Sequence, residues 1–135
     1  MLKKRIVFIS IAIFIILFLF LLIDFIPPDD MTRTCFLVTS RRIKEFVNDH
    51  NELPKDLYNL PKRKKANNSI KDGWGREIQY NILENGKVML LSLGRDGKPG
   101  GEGKDSDIMG TFDPRIENDY PFGKNVDSRN FVNTQ

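Results

Sequence analysis

Ile78-Gln79-Tyr80-Asn81-Ile82-Leu83-Glu84-Asn85-Gly86-Lys87-Val88-Met89-Leu90-Leu91-Ser92-Leu93 is the stretch that decides the fold. Its first half alternates, with Ile78, Tyr80 and Ile82 on one side, as a half-buried strand does. Its second half, Val88-Met89-Leu90-Leu91, is apolar on both sides, as expected of a central strand covered by the helix on one side. Glu84-Asn85-Gly86 joins the two, and Asn-Gly between apolar runs is the strongest short-range hairpin signal. An antiparallel hairpin over Ile78–Leu83 and Val88–Leu93 is therefore predicted.

On the N-terminal side, Asp72-Gly73-Trp74-Gly75 reads as a turn carrying a large aromatic, with Trp74 expected in the core. Before it, Lys62-Arg63-Lys64-Lys65 and Asn67-Asn68-Ser69 read as a solvated loop, with an anionic lipid or acidic partner as the sharper reading. No aromatic residue interleaves with that run, which argues against nucleic acid. Leu57 and Leu60 are expected to anchor the preceding segment. From about Met31 to His50 the pattern is helical: Met31, Cys35, Val38, Phe46 and Val47 recur at spacings near three and four, with Ile43 beside them. Arg41, Arg42, Lys44, Glu45 and Asp49 are placed on the other faces. Asn51-Glu52-Leu53-Pro54 ends this helix, and Pro27-Pro28-Asp29-Asp30 offers its cap.

Further forward, the 18 residues Ile6 to Ile23 contain one polar side chain, Ser10. With Phe25 and Ile26 this run is long enough for a hydrocarbon core of roughly 30 Å at about 1.5 Å per residue. Lys3, Lys4 and Arg5 precede it and Asp24, Asp29 and Asp30 follow it, so the positive flank is expected in the cytoplasm and the remainder outside. No small-residue cleavage site follows, and an uncleaved anchor is expected rather than a removed signal. The expected organisation is an anchor over 1–28, touching membrane lipid through residues 6–26, and an extracytoplasmic domain over 29–135. The protein is thus expected to be a single-pass inner-membrane protein.

The net charge of +3 has its source at that flank. Three of the 21 basic residues precede the anchor, and the 18 that follow match the 18 acidic residues. The outer part is neutral, and its charge implies no nucleic-acid partner. The one cysteine, Cys35, rules out an internal disulfide. A domain of this size has a modest core and is expected to need another staple.

The segment after the hairpin, Ser92-Leu93-Gly94-Arg95-Asp96-Gly97-Lys98-Pro99-Gly100-Gly101-Glu102-Gly103-Lys104-Asp105-Ser106-Asp107, supplies a candidate. Carboxylates and inward-turned carbonyls suit a hard cation, and calcium takes six to eight such oxygens. Zinc is disfavoured because the segment has no histidine or cysteine. The EF-hand spacing fails: nothing acidic stands two residues after Asp96, and Asp105-x-Asp107 lacks the following glycine and a glutamate at the distal position. Gly100 to Asp105 resembles part of one calcium β-roll repeat, but a β-roll needs stacked copies. No Gly-Lys-Ser/Thr closes the glycine run, so it is not a phosphate loop. The alternative is a solvated glycine-rich loop with scattered acids.

Asp72-Gly73-Trp74-Gly75-Arg76-Glu77-Ile78-Gln79-Tyr80, followed by the hairpin and by Leu91-Ser92-Leu93-Gly94-Arg95-Asp96-Gly97 and Gly100-Gly101-Glu102-Gly103 up to Asp107-Ile108, resembles the C-terminal domain of the major pseudopilin of type II secretion systems. The likeness is close over Asp72 to Ile108 and looser back to Met31. It implies a pilin-like α+β fold: an N-terminal transmembrane helix, an amphipathic helix packed on a small antiparallel sheet, and a Gly/Asp-rich calcium loop over 92–108, followed by an irregular tail over 109–135. It implies a structural calcium ion held by the Leu93 carbonyl and the side chains of Asp96 and Asp107. Asp105 is the further expected ligand, and a carbonyl between Pro99 and Gly103 completes the shell. Ser92 is expected to donate to the loop backbone. The front departs from the family: no glycine and no glutamate stands before Asp24, so neither leader processing nor the usual charge pairing in a filament is expected.

The implied function is a membrane-anchored structural or interaction protein of type II secretion or a related pilus-like assembly, with secretion-system or pilin-like subunits as partners. The alternative is a stand-alone extracytoplasmic binding module. Catalysis is not expected. His50 is the sole histidine and sits at a helix end, Cys35 is distant in sequence from the loop, and no glycine-flanked serine nucleophile is present.

Overall fold

The computed structural model of the protein describes residues 2–21 and 26–122; of residues 2–8 and 19–21 it describes the backbone only. Helix α1 spans Leu2–Leu21 and helix α2 spans Pro28–His50. Strands β1 (Gln79–Ile82), β2 (Val88–Ser92) and β3 (Ile108–Phe112) form one antiparallel sheet in the order β1-β2-β3. Short 3₁₀ turns occupy Leu57–Asn59 and Gly103–Asp105. The chain is α+β.

Along α1, Ile9 to Phe18 expose their apolar side chains; Phe14 is 70% accessible. The anchor expected over residues 6–26 falls partly outside the described residues. Among the described residues, no helix is long and apolar enough to cross a membrane.

Helix α2 starts with Pro27 as N-cap and Pro28 in the first turn, where a missing N–H costs nothing. Asp29 and Asp30 lie within the first turn and no side chain caps it, so the expected cap is displaced by the prolines. At the other end Asn51 adopts a left-handed conformation (φ 56°) and its N–H reaches the Val47 carbonyl at 2.8 Å, the stop expected of this segment.

The buried face of α2 is rotated from the one expected. Thr32, Phe36, Thr39, Ser40, Ile43 and Val47 face inward, Cys35 and Phe46 flank them, and Met31 is 50% exposed. Short hydroxyl side chains with local acceptors make this possible. Ser40 Oγ donates to the Leu37 carbonyl at 2.9 Å and Thr32 Oγ1 to the Pro28 carbonyl at 2.8 Å, so burying them leaves no hydroxyl unpaired. Two cations assigned to outer faces are also buried. The Arg42 guanidinium donates to the carbonyls of Pro61 (3.0 Å), Asn68 (3.2 Å) and Leu60 (3.4 Å). Lys44 Nζ donates to Ile116 and Glu117 carbonyls and stands 4.8 Å from the Tyr120 ring centroid. These backbone acceptors, invisible to periodicity, offset the cost of desolvating each charge.

The hairpin register pairs Tyr80 with Leu90 and Ile82 with Val88. Its turn is a three-residue loop: Gly86 N–H bonds Leu83 O at 2.8 Å, Leu83 N–H bonds Lys87 O at 2.8 Å, and Gly86 has φ +74°. Strand β2 is central, as expected, with Val88, Leu90 and Ser92 buried, the first two in one core with Phe36, Ile43 and Val47 of α2. Leu57 and Leu60 are buried, and Trp74 packs partly buried against the same core.

Strand β3 corrects the sequence reading, which left residues 109–112 in an irregular tail. It pairs with β2 from Ser92–Ile108 to Val88–Phe112 and buries Ile108, Gly110 and Phe112. The glycine inside this strand, Gly110, has a packing reason: a Cβ there would collide with Pro121. The chain beyond β3 thus folds back over the sheet and stacks Phe122 on Phe36, 5.9 Å between centroids. Phe131 lies outside the described residues.

Candidate functional site

The glycine-rich segment connects β2 to β3 and is fixed at both ends by the sheet. Its root is buried. Ser92 Oγ donates to Asp72 Oδ2 at 2.7 Å, not to the loop backbone as expected. Asp72 Oδ1 in turn accepts from the N–H groups of Trp74 (3.0 Å) and Arg76 (2.9 Å). One carboxylate therefore ties the Trp74 turn to the end of β2. This places the Arg76 guanidinium over the loop entrance, where it donates to the carbonyls of Gly94 and Arg95.

The four residues expected to hold a cation are arranged unequally. The Leu93 carbonyl accepts from Gly97 N–H at 3.1 Å, closing the first turn of the loop. Asp96 Oδ1 accepts from Lys98 N–H at 3.0 Å. Asp107 Oδ2 accepts from Gly100 N–H at 3.0 Å, bridging the two limbs, while its Oδ1 is buried with no hydrogen-bond partner. Asp105 is already engaged: both carboxylate oxygens accept from the Arg95 guanidinium, Nε to Oδ1 at 2.8 Å and a terminal nitrogen to Oδ2 at 2.9 Å. The guanidinium's hydrogen bonds hold the Asp105 carboxyl below its ordinary pKa. Among the described residues no three His, Cys, Asp or Glu side chains group so as to hold a metal.

A calcium shell is built from carbonyls as well as carboxylates, so the fit has to be tested donor by donor. Asp107 fits: an orphaned buried carboxylate oxygen is costly unless a cation or a proton meets it. The Leu93 carbonyl and Asp96 each spend one acceptor position on a local amide and keep lone pairs for another partner. Asp105 does not fit while Arg95 occupies both of its oxygens. Arg76 and Arg95 are the functional residues missed in the sequence. The available signal was an arginine directly beside Asp96 in a loop rich in glycine and acid.

A family model for the type II secretion system (T2SS), protein G, matches residues 40–111, more than half of the chain. The chain belongs to this family. The match runs from α2 through the hairpin and the loop into β3, so it covers the elements that position the candidate site. A similar relative is the type II secretion system core protein G of Xanthomonas campestris pv. campestris, 33% identical over 78 residues. The aligned stretch is 50% of this chain and 54% of that protein, so the chain spans about half the length of the curated relative it matches. In this protein G family domain, Arg95 and Arg76 close the glycine-rich connection between β2 and β3.

Among the described residues, His50 and Cys35 each contact a backbone carbonyl. His50 stacks on Phe46 at 4.2 Å and its Nδ1 lies 3.0 Å from the Phe46 carbonyl at the end of α2. Cys35 Sγ contacts the Ser69 carbonyl at 3.5 Å, and burial raises its pKa, which disfavours the reactive thiolate.

Proposed function

We propose that this protein is a structural subunit of a type II secretion or related pilus-like assembly. In this reading it is anchored in the inner membrane by its apolar N-terminal helix, and its extracytoplasmic domain presents surfaces to other subunits. The observation that carries the proposal is the protein G family match over residues 40–111, from the second half of α2 through the hairpin and the loop into β3. The exposed apolar side chains of Ile9 to Phe18 support the anchor, because such a stripe has no stable place in water. Lys3, Lys4 and Arg5 at its start support a cytoplasmic N-terminus.

The same reading includes a structural calcium ion in the β2–β3 loop, with Asp107, Asp96 and the Leu93 carbonyl as its protein donors. Bound there, the ion would supply positive charge to the orphaned Asp107 oxygen and join the two limbs of the loop. The neighbouring backbone does the rest: Gly97 and Gly100 amides orient Leu93 and Asp107.

Two measurements test this. In membranes, cross-linking between copies or to secretion-system subunits through engineered cysteines on α2 is expected. A chain extracted by carbonate, or one that never cross-links, refutes the anchored subunit and leaves a stand-alone binding module. In detergent, the full chain is expected to melt higher with calcium than with chelator, and Asp107→Asn should remove the difference. A melting temperature indifferent to chelator refutes the ion.

A further inference from the structure

The loop that reads as a cation site already contains a cation. Arg95 forks onto Asp105 through two parallel hydrogen bonds of 2.8 and 2.9 Å, the strongest geometry a guanidinium offers a carboxylate. Its own backbone is tied to the same place, since Arg95 N–H bonds the Lys104 carbonyl at 2.9 Å. The pair therefore joins the limb leaving β2 to the limb entering β3 by main chain and side chain together. Arg76 adds a second guanidinium on the carbonyls of Gly94 and Arg95. These are the limbs that a divalent ion would join.

We propose that Arg95 is the loop's resident counter-cation, holding Asp105 so that the loop stays closed without metal and calcium meets one carboxylate fewer. The inference about affinity rests on the calcium reading above; the closure does not. Calcium affinity rises with the number of carboxylates free to bind. A guanidinium that must be displaced before Asp105 can serve therefore weakens the ion's hold, by the linkage that makes two ligands of one group compete. The Arg95–Asp105 pair is partly solvated, with side chains 60% and 30% accessible, so it can exchange with solvent ions without rearrangement of the core. The orphaned Oδ1 of Asp107 remains available whichever state Asp105 adopts.

Removing Arg95 should then act in two opposite directions, a signature that simple damage to the loop cannot give. The experiment uses the full chain in detergent, as wild type, Arg95→Ala, Arg95→Lys and Asp107→Asn. Amide hydrogen exchange is measured at Arg95 in chelator and in calcium, and calcium binding is measured by calorimetry. The wild-type Arg95 amide is expected to be protected in chelator. Arg95→Ala should lose that protection in chelator, regain it in calcium, and bind calcium on the order of tenfold more tightly. Arg95→Lys should fall between, because a point charge replaces the fork. An Arg95→Ala loop as protected as wild type in chelator overturns the closure. Calcium binding that is unchanged or weaker in Arg95→Ala overturns the competition. Asp107→Asn separates the two readings: it should abolish calcium binding yet leave chelator protection intact. No calcium binding in any variant would remove the metal and the competition together, and the exchange result alone would then decide the closure.

Discussion

Ser92 and Asp72, 20 residues apart in sequence, meet through a buried 2.7 Å hydrogen bond from Ser92 Oγ to Asp72 Oδ2. The bond fastens the turn that carries Trp74 to the strand end from which the glycine-rich loop leaves. It is the point where the core and the candidate site are mechanically one object.

Asp72→Ala leaves Ser92 Oγ and the N–H groups of Trp74 and Arg76 without their acceptor. Each lost bond to a charged acceptor counts for about 1.5–3 kcal/mol before relaxation and water compensate. A net loss of about 3 kcal/mol is expected in thermal or urea unfolding. Ser92→Ala should cost about 1 kcal/mol, and the double variant less than the sum of the two. Strict additivity would show that the Ser92–Asp72 bond contributes nothing.

Gly73 sits where α2 begins. Its N–H donates to Thr32 Oγ1 at 2.9 Å, and a Cβ at Gly73 would run into the Pro28 carbonyl. Gly73→Ala is expected to lower stability by about 1–3 kcal/mol through overpacking. Lys71→Ala, at an exposed position two residues away, should change it by less than about 0.5 kcal/mol. Equal melting temperatures for the two variants would contradict the close approach of helix and turn.

Arg42 holds the loop over residues 60–68 against α2 by three carbonyls. Its pKa is lowered chiefly by burial, but a guanidinium remains charged at any physiological pH. Arg42→Ala should destabilise by about 2–3 kcal/mol and increase protease cleavage at the Lys62–Lys65 run. Arg42→Lys should recover only part of the loss, because an ammonium cannot span three acceptors in the same plane. Unaltered cleavage would separate Arg42 from the order of that loop.

Tyr80 donates its hydroxyl to the Pro54 carbonyl at 2.9 Å, and burial pushes its pKa up to about 12. The folded-state value is raised, so the native state holds the phenol's proton to higher pH than the unfolded chain does. Its contribution is complete below the unfolded value of about 10 and is lost as pH rises from there toward about 12. Tyr80→Phe should therefore be less stable than wild type at neutral pH and show a shallower fall in melting temperature across that alkaline window. Parallel alkaline profiles for the two proteins would contradict this.

The hairpin, the stop of α2 at Asn51 and the centrality of β2 were legible because each is a local matter. Turn chemistry, capping and apolar runs act within a few residues. The extent of α2 was legible, but its inward face was not. Periodicity weights apolar side chains, and here Thr32 and Ser40 are buried because their hydroxyls find acceptors near at hand. That Leu93, Asp96, Asp105 and Asp107 share one loop is plain in the sequence; which of their oxygens are already engaged is not.

What the sequence by itself determined is the order of the helices and the hairpin, and the family to which they belong. Only the tertiary structure decided that Ile108–Phe112 is a strand, that Arg42 and Lys44 point inward, and that Asp105 faces Arg95 rather than open loop. The physical reason is the same in each case. A strand containing Gly110 gains its stability from β2 and from Pro121, a buried cation from distant carbonyls, and a carboxylate from whichever positive charge the fold brings nearest. Such partners are chosen by closure of the chain in space, which spacing along the chain does not encode.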